Sequence, residues 1–315
     1  MNQFLEDVLK GLSAKDKYLQ SKYFYDAKGD KLFQKIMTSQ EYYPTKCEYE
    51  IFTEKTAEIV SVLTELNTEF DIVELGAGDA TKSFYLLKEL VERKINFTYF
   101  PVDISGNIIN QLYSQLPQRL PELRMQGLNG EYFAMLEKAK ILSNKIKVVL
   151  FLGGNIGNVP HEKAGEFCKA IRKHLLPGDL ALIGFDLKKN PKTILDAYND
   201  KAGYTRDFNL NLLLRINDEL KGDFVIENFY HFPTYDPSTG ACKSFLVSST
   251  EQQVNVADES FHFAEGEAIF MEIAQKYTIE QTDELANKSG FTPMHHILDS
   301  KGWFLDTVWK CCEGF

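Results

Sequence analysis

Cysteine is scarce in this sequence, with five in 315 residues (Cys47, Cys168, Cys242, Cys311 and Cys312). The number is odd, no C-x-x-C occurs, and the adjacent pair near the C-terminus forms no metal knuckle, so neither a disulfide framework nor a zinc site is indicated. Buried free thiols in a reducing cytoplasm are the expectation. Basic charge is also in deficit. Against 45 Asp and Glu there are only 35 Lys and Arg, a formal net charge of -10, with an isoelectric point near 5.2. Nucleic-acid affinity rests on clustered cations, so this balance argues against a nucleic-acid partner and against an anionic membrane surface. No apolar run approaches the roughly 20 residues that span a bilayer. The first residues, Met1 to Asp7, have no basic segment followed by an apolar one, so no signal peptide is expected. A nucleophile elbow G-x-S-x-G, a P-loop and an H-E-x-x-H are all missing as well. What remains is a cytoplasmic chain, monomeric for preference, whose partner is a small molecule.

The length is more than a minimal α/β domain needs and suggests two domains or one with a large insertion. The middle of the chain is the most legible part. Asp71–Leu75 is a short apolar run ending in Gly76-Ala-Gly78-Asp79, and Thr81 to Arg93 carries Phe84, Leu87, Leu90 and Val91 at helical spacing. Further strands are predicted at 97–103, weakly at 123–128, at 147–152 and at 180–186. Helices are predicted between them, at 104–115 (ended by Pro117) and at 161–176. Apolar strands without alternation, separated by helices, are what a parallel sheet covered on both faces produces. The fold class is therefore α/β, a doubly wound, Rossmann-like sheet.

After Asn190-Pro191 the pattern changes to helices at 194–201 and 207–220, then short strands and turns up to Ala274. A helix near 279–289 and a hairpin over 293–298 and 303–309 would extend one sheet edge antiparallel to the rest. His295 and His296 fall on a strand, where neighbours point to opposite faces and cannot easily ligate one metal. The expected division is 51–187 plus 277–315 for the α/β domain, with 1–50 plus 188–276 as an α+β domain that selects substrate.

The glycine turn between first strand and helix permits close approach of a ligand to the backbone. Thr81 occupies the place of the third glycine in the dinucleotide fingerprint, which counts against a nicotinamide-dependent oxidoreductase. Asp79 suits a cationic ligand better than a pyrophosphate. Asp103, at the end of the second strand, can accept two hydrogen bonds from a ribose diol. Together these features resemble the class I S-adenosylmethionine-dependent methyltransferases.

The N-terminal segment narrows the resemblance. Six of the 15 tyrosines lie between Tyr18 and Tyr49. The stretches Ser21–Phe33 and Gln40–Glu48 are similar to the signature of the histidine-specific N-methyltransferase family, whose founding activity makes trimethylhistidine for ergothioneine biosynthesis. The similarity continues through 74–82, 151–158, 196–200, 207–209 and 271–277, so it covers nearly the whole chain. It implies S-adenosylmethionine as cofactor, no metal, and an amino acid, histidine first, as substrate. Carried over by position, Gly76 and Lys82 would meet the methionine part of the cofactor, Lys82 at its carboxylate, with Gly78 also cofactor-binding, Asp103 at the ribose, and Glu131 with Tyr132 at the adenine. Tyr25, Asn158 and Tyr198 would hold the backbone groups of the amino acid. Tyr42 and Glu272 would face its side chain, and Tyr25, Tyr42 and Asn158 would stand nearest the reacting nitrogen. Tyr18, Tyr23 and Tyr49 read as an aromatic core.

Two departures from the family pattern stand out. The pair Glu131-Tyr132 is more often Asp-Phe, and Ala274 replaces a serine that bonds the imidazole ring together with the acid at 272. The second departure leaves a different imidazole or aromatic amino compound, or a ring nitrogen, open as the substrate. A methyltransferase-like binding protein without catalysis is the remaining alternative.

Overall fold

The structure is a computed structural model that describes residues 3–66 and 69–313. Met1 and Asn2, where the reading of the N-terminus begins, lie outside the described residues. The chain divides into two compact units, residues 1–43 with 188–274 and residues 44–187 with 275–315. The division falls at 43/44 and 274/275 instead of 50/51 and 276/277. The helix over Tyr43–Glu54 runs on without a break at residue 50, and its Cys47, Glu48, Ile51 and Phe52 are all buried.

In chain order the helices are α1 Gln3–Leu12, α2 Ala27–Thr38, α3 Tyr43–Glu54, α4 Thr56–Leu66, α5 Ser83–Glu92, α6 Gly106–Arg119, α7 Tyr132–Leu142, α8 His161–Lys173, α9 Pro191–Ala197, α10 Tyr204–Leu220 and α11 Ile279–Lys288. The strands are β1 Phe70–Leu75, β2 Tyr99–Asp103, β3 Leu128–Asn129, β4 Ile146–Phe151, β5 Leu180–Asp186, β6 Phe229–Asp236, β7 Ala241–Ser248, β8 Gln252–Val256, β9 Glu259–Phe263, β10 Ala268–Gln275, β11 Phe291–Leu298 and β12 Phe304–Cys311.

The larger unit carries a seven-stranded sheet in the order β11-β12-β5-β4-β1-β2-β3. β1 pairs parallel with β2 and β4, β4 pairs parallel with β5, and β12 pairs antiparallel with both β5 and β11. Every residue of β1 and of β5 is buried. This explains why these strands read as continuous apolar runs: both faces are covered and no solvent-facing alternation survives. The strand order reverses between β1 and β4, and in open α/β sheets ligands bind outside the carboxyl ends of the strands at such a switch point. One core layer gathers Val73, Val149, Ile183, Phe185, Leu305 and Trp309. Pro117 does not end its helix but sits inside the last turn of α6, where its missing N–H removes only one bond near a frayed end.

The smaller unit holds a three-stranded sheet in the order β10-β7-β6 and the two-stranded ribbon β8-β9. Its core joins Phe4, Val8 and Leu12 of α1 to Leu212, Leu213 and Ile216 of α10 and to Leu246 and Met271 of the sheet. α10 starts at Tyr204, three residues earlier than its apolar periodicity suggests, because Asp200 accepts from the Tyr204 and Thr205 N–H groups, each at 2.8 Å. That carboxylate satisfies two of the orphan donors at the helix start.

Candidate cofactor and substrate site

The carboxyl end of β1 builds the first part of the site. Gly76 and Ala77 donate N–H bonds to the Val102 carbonyl at 2.9 and 3.2 Å, which turns the chain over the end of β2. Gly76 (φ +71°) and Gly78 (φ +53°) are left-handed, and so is Ala80 (φ +53°). Two glycines make this turn accessible without steric cost, whereas Ala80 carries strain of the kind that gathers at ligand sites.

Asp103 ends β2 and faces the turn. Its Oδ2 accepts from Gly78 N at 3.3 Å and its Oδ1 from Ser105 N at 2.9 Å, so two backbone donors fix the carboxylate while lone pairs remain for a ligand. Tyr132, at the start of α7, completes the cluster. A Cβ built on Gly76 would stand 2.8 Å from its hydroxyl oxygen, while one built on Gly78 would meet nothing within 4 Å. Gly76, Gly78, Asp103 and Tyr132 therefore converge. Glu131 caps α7 without a side-chain bond and is exposed. Asp79 is also exposed and accepts from Thr81 N at 3.0 Å, closing a local turn.

Lys82, just ahead of α5, forms an ion pair with Glu48 of α3. Burial works against the lysine charge, but Glu48 outweighs it and the ammonium is held above its ordinary pKa. Gly153, left-handed at φ +79°, donates its N–H to Glu48 Oε1 at 2.7 Å. Below the turn, Glu74 accepts from the Tyr99 hydroxyl at 2.6 Å. Burial pushes the Glu74 carboxyl up to about 7.

Two features of this cluster escape sequence reasoning. Ile104, directly after Asp103, is 71% exposed, an apolar surface beside the carboxylate whose only sequence signal is its position. Glu48 lies inside a quoted motif, but nothing in a linear pattern pairs it with Lys82, 34 residues away.

The residues assigned to the amino acid fall as follows. In the smaller unit, Tyr42 and Tyr198 meet edge to face at 6.1 Å. Tyr25 packs against Phe33 and Phe208, each at 5.7 Å, and is 48% exposed. Glu272 is half-buried on β10, and Ala274 is buried. Asn158 belongs to the larger unit, where it ends a short 3-10 turn over Asn155–Asn158 and is exposed. Tyr49 is a correction. It lies in the larger unit and is 38% exposed, its ring set edge to face against Tyr85 at 5.5 Å, because it stands on the face of α3 opposite the buried Cys47 and Ile51. His295 and His296 bond separate carboxylates, Glu58 and Asp283, each at 2.8 Å. Among the described residues no group of three or more His, Cys, Asp or Glu side chains could hold a metal ion, and no helix is long and apolar enough to cross a membrane.

A left-handed glycine cradle and an oriented carboxylate at the switch point, with a lysine close by, are features a nucleoside carrying an amino-acid tail would fit. The family model for histidine-specific, S-adenosylmethionine-dependent methyltransferases matches residues 4–311. The chain belongs to that family. It is 32% identical over 300 residues, 95% of this chain and 92% of the other, to a histidine N-alpha-methyltransferase of Mycolicibacterium smegmatis. A histidine N-alpha-methyltransferase of Mycobacterium tuberculosis shares 31% identity over 86% of this chain and 83% of its own. Ergothioneine biosynthesis protein 1 of Neurospora crassa shares 30% over 84% of this chain and 30% of its own length. This family member is thus an S-adenosylmethionine-dependent N-methyltransferase with a class I fold.

Gly76 offers a direct check on the cofactor turn. Gly76→Ala places a side chain in the left-handed region, at about 1–2 kcal/mol, and drives a methyl into the Tyr132 hydroxyl. Affinity for S-adenosylhomocysteine, measured by calorimetry, should fall about tenfold or more. Unchanged affinity in a folded variant would show that the approach of Gly76 to Tyr132 does not line the site.

Proposed function

We propose that this chain transfers methyl groups from S-adenosylmethionine to the α-amino nitrogen of L-histidine or a closely related amino acid. The observation that carries the reading is the 32% identity to a histidine N-alpha-methyltransferase over 95% of the chain. The tyrosines and acid that the family pattern assigns to the amino acid support it.

Bound S-adenosylmethionine supplies a methyl on a sulfonium, which a nitrogen lone pair can displace in line. The residues of this chain would then have two tasks. The first is to hold the nitrogen about 3–3.5 Å from the methyl and aligned with the breaking bond. The second is to present that nitrogen unprotonated. Tyr25, Tyr198 and Asn158 would orient the amino and carboxyl groups by hydrogen bonds that need no charged partner. The ring faces of Tyr25 and Tyr42 would accommodate a nitrogen that becomes a permanent cation. Glu272 would accept from the imidazole N–H. On the cofactor side, Asp103 would hold the ribose diol, with Ile104 offering apolar surface beside it, and Gly76, Gly78, Lys82, Glu131 and Tyr132 would line the remainder.

A second reading keeps the chemistry and changes the side chain. Ala274, in place of the family serine, leaves one ring nitrogen of histidine without a hydroxyl, a loss of roughly 0.5–1.5 kcal/mol, and so favours another aromatic amino acid. Incubation with S-adenosylmethionine and an amino-acid panel separates the readings by which member is methylated. Ala274→Ser should raise the ratio of kcat/KM for histidine to that for its best competitor by up to about tenfold. An unchanged ratio would remove Ala274 as the determinant.

A further inference from the structure

Glu48 and Asp306 are both fully buried, with relative exposures of 0%. Asp306, on β12, pairs across the sheet with Gly184 of β5. A Cβ built on Gly184 would stand 2.5 Å from Glu48 Oε1 and 3.1 Å from Asp306 Oδ1. The two acids thus converge on the space that glycine leaves empty. Gly184 is not among the left-handed glycines, so space and not backbone conformation requires it. Among the described residues, neither carboxyl oxygen of Asp306 meets an N–H or O–H donor. The charged groups facing it are Glu48 from α3 and Lys82 at the head of α5, with Glu74 of β1 acting on Lys82. The flanking strands present Gly184 and Ile297.

Two fully buried carboxylates this close do not both ionise beside a single, partly exposed ammonium. We propose that Asp306 and Glu48 form a carboxylic acid–carboxylate pair sharing one proton, and that this pair positions Lys82 and the Gly153 N–H for the amino-acid end of the cofactor. Asp306 carries the proton and donates to Glu48, while Glu48 accepts from Gly153 and pairs with Lys82. Burial first, and the charge of Glu48 second, hold the Asp306 carboxyl well above the ordinary carboxylate range. Both acids are positioning residues that act through Lys82 and Gly153, and their link to the cofactor rests on the assignment of Lys82 above.

Infrared spectroscopy of the full-length protein at neutral pH tests the shared proton without any cofactor. The wild-type minus Asp306→Asn difference should contain the C=O stretch of a protonated carboxyl. Absence of that band would overturn the pair. Calorimetric titration with S-adenosylhomocysteine tests the positioning. Asp306→Leu, which cannot donate, should lose about tenfold in affinity, and Asp306→Asn, whose amide donates as the acid does, should recover it to within about threefold. Gly184→Ala, which dislodges Glu48 without altering any charge, should cost about tenfold as well. Full affinity in folded Asp306→Leu and Gly184→Ala proteins would overturn the positioning role. A wild-type protein that binds no S-adenosylhomocysteine would instead overturn the cofactor assignment, and the infrared band would still decide the proton pair.

Discussion

Replacing Asp103 by alanine is expected to weaken binding of S-adenosylhomocysteine by about 10–100-fold, the equivalent of losing roughly 1.5–3 kcal/mol of charge-assisted hydrogen bonding. The size follows from how the carboxylate is held. Gly78 N and Ser105 N each donate to one of its oxygens, so it is oriented before any ligand arrives and little side-chain entropy remains to be lost on binding. Asp103→Ala removes the proposed ribose acceptor and leaves those two N–H groups without their partner. Asp103→Asn keeps one acceptor and should fall between alanine and the wild type. Thermal unfolding of both variants separates this effect from damage to the turn. Unchanged affinity in folded Asp103→Ala would show the ribose assignment to be wrong.

Lys276→Met should destabilise the larger unit by about 3–5 kcal/mol, because it removes one partner of a buried ion pair. The Lys276 ammonium lies 2.6 Å from the Asp186 carboxylate, and the two side chains are only 2% and 5% exposed. The pair sits where the chain leaves the larger unit after Leu187 and returns to it at Gln275. There the Tyr277 N–H also bonds the Asp186 carbonyl at 3.1 Å. This ion pair and a parallel bridge between Leu187 and Tyr277 both lie within the larger unit. Scanning calorimetry should record a fall in Tm of roughly 6–20 °C. The double variant Lys276→Met with Asp186→Leu should regain much of the loss, since a well-packed apolar pair can replace a buried ionic one. A fall worth less than about 1 kcal/mol would place this pair with solvent-screened surface bridges instead.

The sheet was legible because its physics is local. β1, β4 and β5 are covered on both faces and so are apolar over most of their length, and the glycines at 76 and 78 mark where the chain has to turn left-handed. Asp103 was legible for a similar reason: its place at the end of β2 is fixed by the same periodicity. The four N-terminal helices were not assigned from the sequence. Their apolar faces meet partners far along the chain, as when Phe4 and Leu12 join Leu212 and Met271 in one core. The domain boundary expected at 50/51 falls inside α3, because a boundary shows in the sequence only where composition shifts, and Cys47, Glu48, Ile51 and Phe52 form one continuous buried face. Glu48, Gly184 and Asp306 were illegible altogether. A charged residue in a helix reads as a solvated face, and a glycine in a strand reads as a weakness. Only the register of β12 on β5 and the packing of Glu48 of α3 against Gly184 reveal that the glycine makes room for two acids.

If the α-amino nitrogen of histidine receives the methyl, incubation with histidine and S-adenosylmethionine carrying a 13C-labelled methyl, followed by heteronuclear correlation NMR, should give a product whose labelled methyl correlates with the α-carbon of histidine, with S-adenosylhomocysteine formed in proportion. A methyl that correlates only with the imidazole ring carbons, or histidine left unmodified while another amino acid is methylated, would show that the acceptor is not the α-amino nitrogen of histidine.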